Sequence, residues 1–489
     1  MDMRTIITMK ASNDFETYAR VVAIVLVLFV SSSAWARGAA VEVPQDSREF
    51  FVDESKLPFD EIPGLPSTRE WGIDHGAGFR IEVPDNWNGD LVMYTHGFRG
   101  EGLELTVDSP PLRAHYLARG FAWAASSYSA NNYDVRAGVE STNSLARYFK
   151  KNVANPERIF ITGFSMGGHV IGAAIEMFPN LKCPDGRRGR LCRRFATILG
   201  KLSGGIRYAG AAPACGVMGD TELFDYFGDF SYAAEALAGV QSQFPAPDDY
   251  VSKILIPTLV GLFDNPLEIL GPNPTLATPN AQGEKLRALT TIRSGGPRPL
   301  ANFSFQFFQQ LLFSFSGSDG TLNGVLSGNI YDNIGRVLQL DTDPELNADE
   351  EALNEMILRI ARDPGVNRAR FLKLRRVPII RGRLTMPVLS IHTLGDLFVP
   401  FSMEQIYARE ARAKKRDNLL VSRATRAVGH CEFSPEELVE TFDDLISWVD
   451  TGIRPAGDDI LDPETVADPL FGCQFSRGTT ATRPFAPCP

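Results

Sequence analysis

The run Arg-Ile-Phe-Ile-Thr-Gly-Phe-Ser-Met-Gly-Gly at residues 158–168 leaves the surrounding chain few ways to fold. Residues 159–162 are β-branched or aromatic, as a buried strand prefers. Gly163-Phe164-Ser165-Met166-Gly167 then has the form Gly-x-Ser-x-Gly. Beyond it, Val170, Ile171, Ala174, Ile175 and Phe178 recur at helical spacing. Strand, sharp turn and helix in that order lift a serine hydroxyl above the end of a sheet. Gly163 and Gly167 let the backbone turn tightly, and the helix start adds free N–H groups and partial positive charge beside Ser165. Glycine is about 7% of an average protein, so the pattern also arises by chance. The rest of the chain has to give it meaning.

Composition removes several classes of function. The 489 residues are 44% hydrophobic and 22% charged, a globular profile. A formal net charge of −10 argues against general nucleic-acid binding. The chain has no CxxC pair, no HExxH and no Walker-type loop, so no metal site or cofactor is expected.

Residues 21–30 are an unbroken apolar run, too short to span a membrane comfortably. Ala34-Trp35-Ala36 follows as a small-residue cleavage site, and 1–36 reads as a signal peptide. The charged stretch before it leaves a downstream start or a retained anchor as alternatives. Export to the periplasm or medium suits six cysteines, which allow about 15 pairings. Cys183–Cys192 would close a polar loop, Cys473–Cys488 would pin the C-terminal tail, and Cys215–Cys431 would remain; buried free thiols are the alternative.

Residues 37–69 read as an extended, proline-punctuated segment on the surface. Strands are expected at 78–84, 91–95, 120–126, 158–162 and 205–212, with helices at 112–119, 135–151 and 169–178. Such alternation over 70–214 is the pattern of a mostly parallel sheet with helices on both faces. Residues 215–384 break the rhythm with prolines, glycines and apolar clusters, and carry an amphipathic helix over 349–361. They read as a large, mainly helical cap or lid insertion, or else as a subdomain remote from the chemistry. Alternation returns over 385–451, with strands at 387–392 and 418–422 and helices at 401–415 and 435–450. Residues 452–489 form a proline-rich tail.

Ser165, Asp396 and His430 each follow an expected strand end. In an open parallel sheet those ends share one side, so residues far apart in sequence converge there. A serine needs an imidazole to take its proton, and an acid to fix that imidazole's tautomer.

Gly163-Phe-Ser-Met-Gly-Gly168, His96-Gly97, Leu394-Gly-Asp396 and Gly429-His430 together resemble the α/β-hydrolase superfamily over residues 70–212 and 385–450. The lead-in Phe79-Arg-Ile-Glu-Val-Pro-Asp-Asn-Trp-Asn-Gly89 is similar to that of secreted bacterial serine esterases. The resemblance implies Ser165 as nucleophile, His430 as general base and Asp396 as its orienting acid. It implies an oxyanion hole from the N–H groups of Met166 and Phe98. The expected activity is carboxylic ester hydrolysis through an acyl-enzyme, on a small or polymeric ester, conceivably lipid or polyester. A peptidase or amidase on the same fold, and a non-catalytic binding scaffold, are the alternatives. No nucleic-acid partner, and no membrane span after cleavage, is expected.

Tyr128 is a candidate pocket residue, and Trp123 a core one. His96 reads as shaping the oxyanion loop, His169 and His392 as packed, and Asp443 and Asp444 as solvated; His75 and His115 have no partner motif.

Overall fold

In the computed structural model, eight strands form one sheet: β1 (Ser67–Asp74), β2 (Ala77–Pro84), β3 (Asp90–Thr95), β4 (Ala122–Ser126), β5 (Arg158–Phe164), β6 (Gly210–Ala214), β7 (Val388–Thr393) and β8 (Leu420–Thr425). Their order is β1-β2-β4-β3-β5-β6-β7-β8. β2 runs antiparallel to β1 and β4, and the remaining neighbours are parallel. The structure describes residues 48–177, 206–271, 277–318, 322, 324–369, 374–481, 483 and 488. The expected signal peptide and the Cys183–Cys192 pair lie outside the described residues.

β3 is buried at every position, as are β7 and β8. A strand covered on both faces needs apolar side chains in both phases of its alternation. Leu91 and Met93 point into a core that includes Val139 and Val170, while Val92 and Tyr94 point into the opposite core. Helices α1 (Arg113–Ala118), α2 (Val135–Tyr148) and α3 (Met166–Glu176) connect the first parallel strands. This strand order, with a serine on the turn between β5 and α3, is the α/β-hydrolase fold.

Between β6 and β7 the chain leaves the sheet. Helices α4 (Glu222–Leu237), α5 (Ile256–Leu262), α6 (Ala281–Arg293), α7 (Ala301–Ser314) and α8 (Ala348–Met356) gather around Phe230, Leu286, Phe305 and Leu353. That core also encloses Leu397 and Val428, from the loops after β7 and β8. α9 (Ser402–Ala413) and α10 (Pro435–Thr451) complete the sheet's covering. Ser434 caps α10 with Glu437 as a capping box and Pro435 in the first turn, the pattern its sequence spells out.

Several expected boundaries change. The segment 37–69 is not all loose surface chain. Its end enters β1, Leu57 is buried, and Arg80 Nε donates to the Leu57 carbonyl at 2.8 Å. The strand expected at 205–212 lies at Gly210–Ala214. The helix expected to 361 stops at Met356, where Ile357 turns extended. The proline-rich tail packs onto the sheet's end: Ile460, Val466 and Phe471 bury against Leu394 and Phe401.

Candidate active site

Ser165 has φ 57° and ψ −124°, outside both helix and strand regions. The conformation is held by close packing under the turn. A side chain at Gly163 would collide with Thr95 Oγ1, and one at Gly167 with the Thr95 carbonyl. The end of β3 therefore sits where only glycine leaves room, and this is why the motif carries glycines on both sides of the serine. Strain of this kind, about 1–3 kcal/mol per residue, persists only where the surroundings enforce it.

The three side chains singled out in the sequence come together at this turn. Ser165 Oγ lies 2.8 Å from His430 Nε2, and His430 Nδ1 lies 2.6 Å from Asp396 Oδ2. Asp396 is fully buried, whereas the His430 side chain is 20% exposed and so reachable from outside. The other Asp396 oxygen accepts from the N–H groups of Phe398 at 2.9 Å and Val399 at 3.0 Å. These bonds fix the carboxylate so that it can hold one imidazole tautomer. The loops bearing the acid and the base are tied to each other. Gly395 N donates to Ala427 O at 2.9 Å, and Thr393 Oγ1 to Gly429 O at 3.2 Å.

The turn after β3 faces the serine: a Cβ on Gly97 would stand 3.1 Å from Ser165 Cβ. Phe98, next in this turn, is an exposed aromatic. Met166 is buried at the first position of α3, where its N–H has no acceptor within the helix.

Tyr128 does not line an open pocket. It is fully buried, its hydroxyl donates to the His96 carbonyl at 2.9 Å, and its ring stacks on His96 at 3.8 Å. Burial lowers the His96 pKa to about 4, with Arg99 adding to the effect, so this imidazole is neutral at pH 7. His169 is packed between the Tyr133 hydroxyl and the Pro378 carbonyl. Asp443 and Asp444 are not simply solvated: Asp443 pairs with His115 and Arg119, and Asp444 with Arg423.

Cys215 and Cys431 stand at disulfide distance, with Cα atoms 5.2 Å apart, and Cys473 and Cys488 likewise at 5.3 Å. Cys431 Sγ lies 3.3 Å from His430 Nε2. Cys215, His430 and Cys431 are also a cluster of metal-ligating side chains, but the two sulfurs are engaged with each other.

Three further residues stand near the site. The Phe398 ring meets His430. Arg298, buried within the insertion, donates from Nε to the Leu394 carbonyl at 2.7 Å, two residues before Asp396. Glu404, on α9, is buried against His392. Phe398 adjoins the acid and could have been marked from its position; nothing local marks the others.

A serine hydroxyl, an imidazole and a buried carboxylate in line can move one proton from Oγ to Nε2 and stabilise the resulting charge. On this fold, that arrangement defines a candidate serine-hydrolase centre. Among known proteins, the chain is 23% identical over 435 residues to o-phthalyl amidase of Xanthobacter agilis, covering 81% of this chain and 88% of that one. No protein-family model matches it. Among solved structures, feruloyl esterase B of Aspergillus oryzae aligns over 82% of this chain and 85% of its own, at 12% identity and TM-score 0.37. Esterase B of Lactobacillus rhamnosis aligns over 90% and 96%, at 11% identity and TM-score 0.35.

Proposed function

We propose that the protein is a serine hydrolase that cleaves carboxylic esters through an acyl-enzyme. The observation that carries this reading is the Ser165–His430–Asp396 alignment, with separations of 2.8 and 2.6 Å. Ser165 Oγ bonds to the acyl carbon as His430 Nε2 takes its proton. The carbonyl oxygen gains negative charge, which the Met166 and Phe98 N–H groups receive; one such donor contributes about 3–4 kcal/mol. Collapse breaks the bond to the alcohol, which leaves with the proton from Nε2. Water then attacks the acyl-enzyme, giving its proton to Nε2, and the acid departs with Ser165 restored.

The insertion acts as a lid over this chemistry. Its core encloses Leu397 and Val428 from the acid and base loops, which a remote subdomain would not do. Phe227 and Phe315 of the insertion stack beside Phe398, a wall suited to an apolar acyl group such as a lipid or polyester unit. Export to an oxidising compartment accords with the two cysteine pairs at disulfide distance. Among the described residues, no helix is long and apolar enough to cross a membrane.

A second reading is amide hydrolysis, favoured by the alignment with o-phthalyl amidase over 81% of the chain. The same machinery serves, with an amine taking the proton from His430. One experiment tests both. Wild type and Ser165→Ala are compared on p-nitrophenyl esters from acetate to palmitate and on matching anilides. Ser165-dependent ester turnover is the expected result. Turnover of anilides alone moves the assignment to the amidase. Full activity in Ser165→Ala, or no labelling of Ser165 by a fluorophosphonate, overturns both.

A further inference from the structure

Asp396 has a second imidazole close to it. His392, on β7, and Glu404, on α9, are 0% and 1% exposed. His392 Nε2 donates to the Val399 carbonyl at 2.8 Å and stands 4.0 Å from Asp396 Oδ2. Its Nδ1 faces Glu404 Oε1 at 3.5 Å, and that oxygen also accepts from Ser390 Oγ at 2.8 Å. Val399 therefore serves twice. Its N–H holds one oxygen of Asp396, and its carbonyl is held by His392.

We propose that His392, facing Glu404, is a positioning residue for Asp396: it anchors the 396–399 turn through the Val399 carbonyl and places a titratable imidazole beside the carboxylate. The proposal rests on the hydrolase reading above. Two charges withdrawn from water contribute little net stability compared with apolar packing, so a buried acid–imidazole pair touching this turn calls for another role. Burial disfavours charge on His392, but Glu404, then Asp396 and the Val399 carbonyl, outweigh it and leave the imidazole pKa above its ordinary value. The other groups facing Asp396 are Arg298 and Tyr226 from the insertion, and His430. Burial lowers the Arg298 pKa to about 10, so it stays charged through neutral pH. Burial raises Tyr226, and also Tyr407 beside Glu404, so both stay neutral. A proton on His392, 4.0 Å from Asp396 Oδ2, weakens the pull of that carboxylate on a charged His430.

The sign of the test follows. With Glu404 neutralised, a proton on His392 is less favoured, Asp396 attracts a charged His430 more strongly, and the acid limb of the activity profile moves to higher pH. The experiment uses the full chain and an ester whose turnover depends on Ser165, measuring kcat and KM from about pH 5 to 9 together with the melting temperature. Glu404→Gln is expected to lower kcat about tenfold, leave KM within about twofold, and move the acid limb of kcat/KM up by about half a pH unit. His392→Gln keeps a donor for the Val399 carbonyl without the charge; it moves the limb the same way and retains more kcat than His392→Ala. Glu404→Asp keeps the charge and returns the limb toward wild type. An acid limb unmoved in folded Glu404→Gln and His392→Gln overturns the proposal. So does an equal displacement by Glu404→Asp and Glu404→Gln. Absence of Ser165-dependent turnover in wild type is a different failure, that of the hydrolase reading, and is seen before any variant is made.

Discussion

The Phe398 ring meets the His430 imidazole edge to face, with centroids 5.0 Å apart. Phe315 lies parallel to Phe398 at 5.8 Å, and Phe227 stacks on Phe315 at 4.5 Å. Three phenylalanines from separate elements thus form a wall beginning at the base, and all three are partly exposed.

Phe398→Ala removes the end of that wall. Aromatic contacts contribute about 0.5–1.5 kcal/mol beyond burial, so KM for long or aromatic acyl esters should rise about tenfold. KM for acetate should change little. Steady-state kinetics on the p-nitrophenyl series decide it; an equal rise for acetate would mean the ring only supports the loop.

Cys215→Ser with Cys431→Ser opens the pair beside the base. Closing a long loop stabilises by about 3–5 kcal/mol in the chain-entropy view. The urea midpoint should drop, and kcat should fall more than tenfold at temperatures where the variant is still folded, because the loop holding His430 loses its brace. Unchanged kcat in the folded variant would assign the pair to stability alone.

Gly163→Ala would press a methyl group into Thr95 at the end of β3. The expected outcome is little folded protein, or a loss above about 4 kcal/mol, since no flexible atom can give way. Gly102→Ala is the control. A Cβ there meets nothing within 4 Å, and its stability should stay within about 0.5 kcal/mol of wild type. Denaturant unfolding of both variants is the measurement.

Acidification should remove the stability that two buried histidines contribute. Burial lowers His96, helped by Arg99, and His169 to about 4. The unfolded chain protonates these rings near pH 6.5, so it binds more protons than the folded chain between there and about pH 4. Stability from each is complete above pH 6.5 and is lost on acidification, by about 3 kcal/mol at most. Asp220, Asp225 and Asp458, raised by burial to about 6, act in the opposite direction over the same range. A difference measurement separates them: the stability of wild type relative to His169→Gln should shrink as pH falls from 6.5 to about 4. A constant difference would contradict the assignment.

Much of this architecture is legible in the chain because its signals are local. The strand–turn–helix at Ser165 is written in eleven consecutive residues, and the buried strands show as short apolar runs. The positions of Asp396 and His430 follow from a rule of topology, that parallel strands end on one side. What escaped depends on distance in the chain. β1 is an edge strand carrying Arg69, Glu70 and Asp74, and none of its residues is fully buried. Its pairing, not its composition, makes it a strand. Tyr128 looked suited to a pocket because a tyrosine's burial is not a property of its own segment. Arg298 reaches the loop of Asp396 from the insertion, Glu404 reaches His392 on β7 from α9, and no spacing announces either contact.

The Cys215–Cys431 pair spans 216 positions and encloses the whole insertion. Topologically, the insertion lies in a closed ring that also holds β7, α9 and β8 and is fastened just beyond β6 and β8. A protease that nicks it once leaves no free half. β6 and β7 stay tethered, and the cut chain runs as two pieces only after reduction.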